Sequence, residues 1–372
     1  MYELVIIGAG AAGLGLGRYF QVERGWRCLL VEREAAFGQG ISARNSEVIH
    51  AGLYYPAGSL KAELCVSGRE RLYHYLEQRD LPYRQCGKYV LAAPEAEDQL
   101  EQLYHQARDN GAGDVALLER GAVRRIYAGL SPFAALYSPS SGILSAEAFM
   151  RQLAGEFQAG GGDLALQSTF SSMAPSGDGF EITLTDAAGE TVAVPTERVI
   201  NSAGLGALDV AGAAGFDYAD RGYRLRLCKG SYFRVPGARG AFEHLIYPLP
   251  SDHGLGIHLR LDLLDEVRLG PDAEYLDGEE PDFIVDPQRA ADFRTAVALY
   301  WPGIAAHTLE PDWAGVRPHI YRAGEYLSDF LIRDEAEAGS PGWVNMFGID
   351  SPGLTATLAF GPWIAGLWGE GQ

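Results

Sequence analysis

Cysteine and methionine are scarce in this chain of 372 residues, four of each, and the 30 lysines and arginines fall well short of the 49 acidic residues. Cys28, Cys65, Cys86 and Cys228 are scattered with no CxxC pair, so neither a disulfide framework nor a cysteine metal site is expected. They read as reduced cysteines of a cytosolic protein. The net charge of −19 argues against nucleic acid and against anionic membrane surfaces as partners. An anionic substrate would then require arginine or lysine concentrated in its pocket against the general field. No stretch approaches the roughly 18 consecutive apolar residues of a membrane span. No repeat and no low-complexity tract interrupts the chain, and its start runs straight into strand-forming residues, leaving no room for a signal peptide. The expectation is a cytoplasmic protein, or one peripheral at the inner face of the membrane, without a transmembrane segment.

What is abundant is glycine, 47 residues, and the first cluster of it organises the rest. Leu4-Val5-Ile6-Ile7 passes directly into Gly8-Ala9-Gly10-Ala11-Ala12-Gly13, a proline-free helical segment runs from Leu14 to about Arg24, and a second apolar strand, Cys28-Leu29-Leu30-Val31, stops on Glu32. In such a βαβ unit Gly8 turns the chain sharply out of the strand, Gly10 lets backbone approach a pyrophosphate, and Gly13 lets the helix lie close to the strands. The helix N-terminus faces the phosphates. Glu32 is placed to accept hydrogen bonds from ribose hydroxyls and to disfavour a 2′-phosphate. Strand, glycines, helix, strand and acid occur in the required order, so the chain is expected to bind a dinucleotide other than NADP.

The length suits two intimately packed domains, and the chain alternates accordingly. Residues 35–55 form a glycine-rich loop with Ser42, Arg44, Asn45, Ser46 and His50, fitted to run along a flat ligand. Residues 61–79 have helical spacing, 82–93 read as strands, 95–110 as a surface helix and 115–128 as irregular strand. A helix from 145 to 159 is stopped by three glycines, and short alternating strands fill 164–199. Asn201-Ser202-Ala203-Gly204 ends a buried strand in small residues, as close ligand approach requires. Strands return at 224–235, 245–249 and 255–264, a helix at about 287–300, and a strand at 331–333; the strand at 344–347 leads through a polar turn into an apolar terminal helix near Gly353. The fold class read from this is α/β: a discontinuous Rossmann-like domain (1–80, 145–215 and 311–372) with an inserted, mainly antiparallel β-sheet domain (81–144 and 216–310) for the substrate.

This arrangement resembles the flavoprotein family of D-amino acid oxidase and glycerol-3-phosphate dehydrogenase, and within it most resembles the L-2-hydroxyglutarate dehydrogenases and oxidases. The stretch from Ser42 to Pro56 looks like that group's signature loop; Gly87-Lys88-Tyr89, Gly254 to Leu259, Leu269 to Ala273, Gly315-Val316-Arg317-Pro318 and Ile349 to Ala359 add to the likeness. There are departures: Glu47 stands where the group usually has glycine, Ser202 and Ala203 are small-residue variants, and Arg260 stands where a small polar residue is expected; the one near His258 touches the expected substrate face.

The resemblance implies FAD, held by Gly8, Gly10, Gly13, Glu32, Arg33, Ser42, Arg44, Asn45, Ser46, His50, Ala203, Gly204 and the segment Asp350, Ser351, Pro352, Gly353, Leu354 and Thr355. It implies oxidation of a small anionic 2-hydroxy acid, with an amine or amino acid as the alternative substrate on the same fold, and oxygen or a quinone as electron acceptor. A tRNA-modifying flavoprotein is disfavoured by the acidic charge and by the lack of basic stretches. Arg317, Arg260, Arg44 and Lys229 are the candidate cations for carboxylates. His258 is the favoured base and His50 the alternative, since an ordinary histidine is substantially neutral at pH 7. Tyr55, with Tyr54 and Tyr232, is expected to shape the pocket. No metal is implied.

Overall fold

A computed structural model describes residues 1–250, 256–278 and 280–370. The chain divides into two compact units, one made of Met1–Ala43, Ala146–Leu227 and Arg317–Gln372, the other of Arg44–Ser145 and Cys228–Val316.

The first unit is built on strands apolar at successive positions, the pattern of a sheet covered on both faces. Leu4, Val5 and Ile6 have no exposed surface, and Leu30 none. Asp163–Ala165, Cys28–Val31, Tyr2–Ile7, the end of Thr191–Asn201 and the middle of Ser340–Phe347 lie side by side, all parallel. Leu331–Glu335 adds an antiparallel edge, and the first half of Thr191–Asn201 continues into an antiparallel meander with Gly179–Asp186 and Ser168–Ser176. Ile7 lies opposite both Val31 and Asn201, and Asn201 opposite Asn345, so the strands end level. Gly8, Glu32 and Ser202 therefore leave the sheet along one edge, where ligands of open α/β sheets bind. A buried polar network fixes that register: Asn201 Nδ2 donates to Asn345 Oδ1 and to the Ala207 carbonyl, both at 2.8 Å, and Asn345 Nδ2 donates to Glu335 Oε1 at 2.9 Å.

Helix Ala11–Arg18 packs against Ala146–Ala159 and Gly353–Leu367. Its small residues allow this. A Cβ on Gly15 would stand 2.5 Å from Thr357 Cγ2 and 2.8 Å from the Thr357 carbonyl oxygen. Beyond Arg18 the expected helix continues as a π-helical turn, Tyr19–Glu23, rather than in α geometry.

In the second unit the strands run, in order, from the end of Tyr223–Arg234 through Val267–Leu269, Leu259–Leu261, Leu245–Pro248, Lys88–Ala92 and Ala134–Ser138 to Ala116–Leu118. All neighbours are antiparallel except Leu245–Pro248 with Lys88–Ala92, which are parallel. Three expectations change here. Residues 115–128 are not all strand, since Ala122–Ile126 is a short helix after the strand Ala116–Leu118. The strand expected at 255–264 is confined to Leu259–Leu261, with Asp265 in a left-handed turn before Val267–Leu269; Leu255 lies outside the described residues. Residues 44–80 and 311–316, grouped by sequence with the first domain, fall in the second unit, and 216–227, grouped with the second, fall in the first; helix Leu60–Gln78 is tied to the second unit by side chains. Arg69 donates to the carbonyls of Ala51 and Ala112, and Tyr73 to that of Ser140.

The contact between Ala11–Arg18 and Gly353–Leu367 gives a direct test. Gly15→Ala is expected to lower stability by about 1–3 kcal/mol through overpacking against Thr357, read as a shift in the urea midpoint at unchanged slope.

Candidate active site

The glycine turn of the first unit has the shape its sequence requires. Gly8 has φ +102°, and a Cβ there would stand 2.7 Å from the Ser202 carbonyl oxygen. A Cβ on Gly13 would fall inside contact distance of the Gly8 oxygen. Gly10 is the N-cap and has no side chain to cap with, so the first helical turn is open except for the Ala11 N–H, which donates to Ser42 Oγ at 2.9 Å. The Glu32 carboxylate accepts from the N–H groups of Ala9, at 2.8 Å, and Glu34, at 3.0 Å. Each oxygen keeps lone-pair capacity for a ribose hydroxyl. Ser202 Oγ donates to the carbonyls of Ile7 and Gly8, and Gly204 follows Ala203 at φ +59°. Helix Gly353–Leu367 starts after Pro352; Gly353 N–H donates to the Asp350 carbonyl, Thr355 is fully buried, Leu354 is half-buried and Ser351 is exposed. Arg33 is exposed and pairs with Glu34 at 3.2 Å. These features fit a dinucleotide.

The second unit gathers a different set of groups on one face of its sheet. Leu245 lies opposite Lys88, and Ile246 opposite Leu259. The antiparallel register then sets Tyr247 across from His258 and Leu245 across from Arg260. Because side chains alternate with period two, Lys88, Tyr247, His258 and Arg260 share a face, with the Lys88 and Arg260 backbones two strands, about 10 Å, apart. The rings of Tyr247 and His258 stack at 3.6 Å and 11°. Lys88 Nζ lies 4.1 Å from the centre of the Tyr247 ring and 5.6 Å from that of Tyr54. Arg260 lies over Trp313, which stacks on Tyr232 at 4.7 Å.

Two of these groups are buried cations whose needs are unmet. Lys88 has no exposed surface, and its Nζ has no hydrogen-bond partner among the described residues. Burial lowers its pKa from 10.5 to about 8, which corresponds to roughly 3 kcal/mol against the charged form. Arg260 is 1% exposed; its Nε and Nη1 have no hydrogen-bond partner among the described residues, and Glu47 stands 3.6 Å from its Nη2. Burial lowers its pKa too. His50 lies close to Lys88 and His258: burial first, then the Lys88 charge and the neighbouring His258, hold its pKa well below the ordinary imidazole value.

The cations expected from sequence separate on inspection. Lys229 pairs with Asp282 at 2.5 Å, so its charge is answered internally and it is not the unfilled cation that an anion would seek. Arg44 lies over the Phe283 ring at 4.3 Å. Arg317 is half-buried in the first unit, on strand Glu310–Arg322. Of the adjacent tyrosines, Tyr54 has its ring beside Lys88, while the carbonyl of Tyr55 accepts from Gln106 Nε2 and Asn110 Nδ2. Asn45 Oδ1 accepts from the Glu47 N–H at 2.7 Å, and half-buried Ser46 lies between them. Gly254 and Leu255 of the motif before His258 lie outside the described residues. Lys88 was given no role by sequence, although a lysine opening the otherwise apolar strand Lys88–Ala92 was a usable signal.

A strand, glycine turn and helix ending level with a ribose-directed acid define a dinucleotide-binding protein. A family model described as FAD dependent oxidoreductase matches residues 3–367, and the chain belongs to that family. The chain is 34% identical over 401 residues to a protein of Arabidopsis thaliana named L-2-hydroxyglutarate dehydrogenase, mitochondrial, covering 98% of this chain and 82% of the relative. Among solved structures it is similar to an L-alpha-glycerophosphate oxidase from Mycoplasma pneumoniae with FAD bound, with a TM-score of 0.82 at 20% identity over 96% of this chain and 92% of that one. A glycine oxidase from Geobacillus kaustophilus gives 0.81 at 20% identity over 100% and 95%. The fold is thus that of FAD-dependent oxidases, and FAD is the cofactor of the family. No helix among the described residues is long and apolar enough to cross a membrane, and among them no group of three or more His, Cys, Asp or Glu side chains is arranged to hold a metal ion.

Gly13→Ala is expected to yield protein lacking FAD, read as the ratio of flavin to protein absorbance after purification. Lys88→Met should raise stability at pH 7 by about 1–3 kcal/mol while impairing activity, because it removes a buried charge without a partner. The sign with pH follows from the lowered pKa. The unfolded chain binds more protons than the native one between about 8 and the ordinary lysine value, so the gain in Lys88→Met is full below pH 8 and vanishes toward 10.5. Denaturation curves at pH 7 and pH 10 test this.

Proposed function

We propose that the protein oxidises L-2-hydroxyglutarate to 2-oxoglutarate. The observation that carries the reading is the pair of buried cations, Lys88 and Arg260, sharing a sheet face with His258 and Tyr247. A dicarboxylate satisfies two such cations, whereas a monocarboxylate leaves one unanswered in a medium where that is costly. The name of the Arabidopsis relative supports the same substrate. When bound, FAD would supply the hydride acceptor for the substrate C–H bond.

We assign FAD to the glycine turn, Glu32, Ser42, the Ala203-Gly204 turn and the N-terminus of Gly353–Leu367, whose positive end stabilises negative charge. Lys88 and Arg260 bind and orient the two carboxylates. His258, held by its stack on Tyr247, takes the hydroxyl proton at an imidazole nitrogen. His50 stays neutral at pH 7, because burial and the nearby Lys88 ammonium disfavour its charged form. The electrons pass on to oxygen or to a quinone, and the protein works in the cytoplasm or at the inner face of the membrane.

The test is anaerobic bleaching of flavin absorbance by L-2-hydroxyglutarate, its D-enantiomer, glycine, D-alanine, sarcosine and glycerol 3-phosphate. Only the L-hydroxy acid is expected to bleach rapidly; fast reduction by an amine would discard the substrate. The pH profile adds a second readout. As pH rises through about 8 Lys88 loses its proton, so KM for L-2-hydroxyglutarate should climb on that limb. Lys88→Arg, whose charge is fixed in this range, should remove the alkaline limb.

A further inference from the structure

We infer that Glu47 is a built-in stand-in for a substrate carboxylate: it occupies the Arg260 guanidinium until a dicarboxylate arrives, then yields it to the distal carboxylate. The inference rests on the dicarboxylate reading above and assigns Glu47 a part in it.

The pairing is loose on one side and deeply buried on the other. Glu47 Oε2 lies 3.6 Å from Arg260 Nη2, beyond hydrogen-bonding distance. The Glu47 side chain is 34% exposed and that of Arg260 only 1%, so the carboxylate has water to move into and the guanidinium has none. Arg260 Nε and Nη1 have no hydrogen-bond partner among the described residues. A planar guanidinium is best satisfied by a carboxylate that engages two N–H groups at once, which Glu47 does not do and a mobile ligand can.

The backbone of Glu47 is pinned. Its N–H donates to Asn45 Oδ1 at 2.7 Å, and its carbonyl accepts from the Leu144 N–H at 3.0 Å. It holds φ +54°, a left-handed conformation that side chains other than those of Asn, Asp and Gly seldom adopt. A side chain retained at such cost to the backbone, opposite a buried cation, and three residues before His50, is placed for that cation. Because Glu47 also repels an incoming carboxylate, its removal strengthens dicarboxylate binding and leaves monocarboxylates almost unaffected.

The experiment is calorimetric titration of the holoenzyme with glutarate and with butyrate, neither of which carries a hydroxyl to oxidise. In Glu47→Gln, glutarate should bind about tenfold more tightly, within the usual range for two coupled sites, with butyrate affinity essentially unchanged. Unchanged glutarate affinity, or equal tightening of both ligands, overturns the inference and makes the pair purely structural. Glu47→Gly removes the same charge at a position whose φ suits glycine, so it gives the same readout should the glutamine variant fail to fold. If L-2-hydroxyglutarate does not reduce the flavin but glutarate still responds to Glu47, the substrate assignment falls and the role of Glu47 stands. If reduction is intact and glutarate does not respond, the reverse holds.

Discussion

Lys88 and Arg260 are buried in an acidic protein, the first with no hydrogen-bond partner among the described residues and the second with a carboxylate only at 3.6 Å, and that constraint shapes the second unit. A buried charge without a counter-ion destabilises a fold by several kcal/mol. The surroundings moderate the cost in ways the structure makes explicit. The rings of Tyr247 and Tyr54 stand near the Lys88 ammonium, and those of Trp313 and Tyr232 near the Arg260 guanidinium. Aromatic faces partly stabilise cations without neutralising them. The positive field is thus preserved for an incoming anion.

The first unit faces a different requirement, close approach of backbone to backbone and to a dinucleotide. Its level strand ends, the left-handed Gly8 and the tight packing at Gly10 and Gly13 are one solution in which each glycine removes a specific clash. The Asn201–Asn345–Glu335 network holds the register from within the sheet, with Trp343 Nε1 donating to the same Asn345 oxygen. Each member has a partner, so this network contributes rigidity where the second unit has unmet capacity.

The nucleotide cradle was largely legible from sequence because it is local: strand, glycines, helix and acid lie within thirty-two residues, and their spacing reports their geometry. The polar face of the second unit's sheet was legible only in fragments. His258 and Arg260 lie two apart in sequence, and Arg260 and Glu47 both depart from the pattern of the family the chain resembles. That the two departures face each other was not readable, since 213 residues separate positions 47 and 260. Lys229 reads as a free cation in sequence, yet Asp282 answers its charge, whereas Lys88 reads as a strand residue and has no hydrogen-bond partner among the described residues.

The sequence by itself therefore determined the cofactor class, the α/β architecture and the residue types available for chemistry, because these rest on short-range periodicity and on turns that only glycine makes easily. Only the tertiary structure decided which charges are spent on internal partners and which are left for a ligand. Register across the strands at 88, 245 and 259 sets that division, and register is a property of pairing between distant segments. A lysine in a strand reads the same in sequence whether or not a carboxylate lies within reach of its ammonium group; only the folded chain places one there or withholds it.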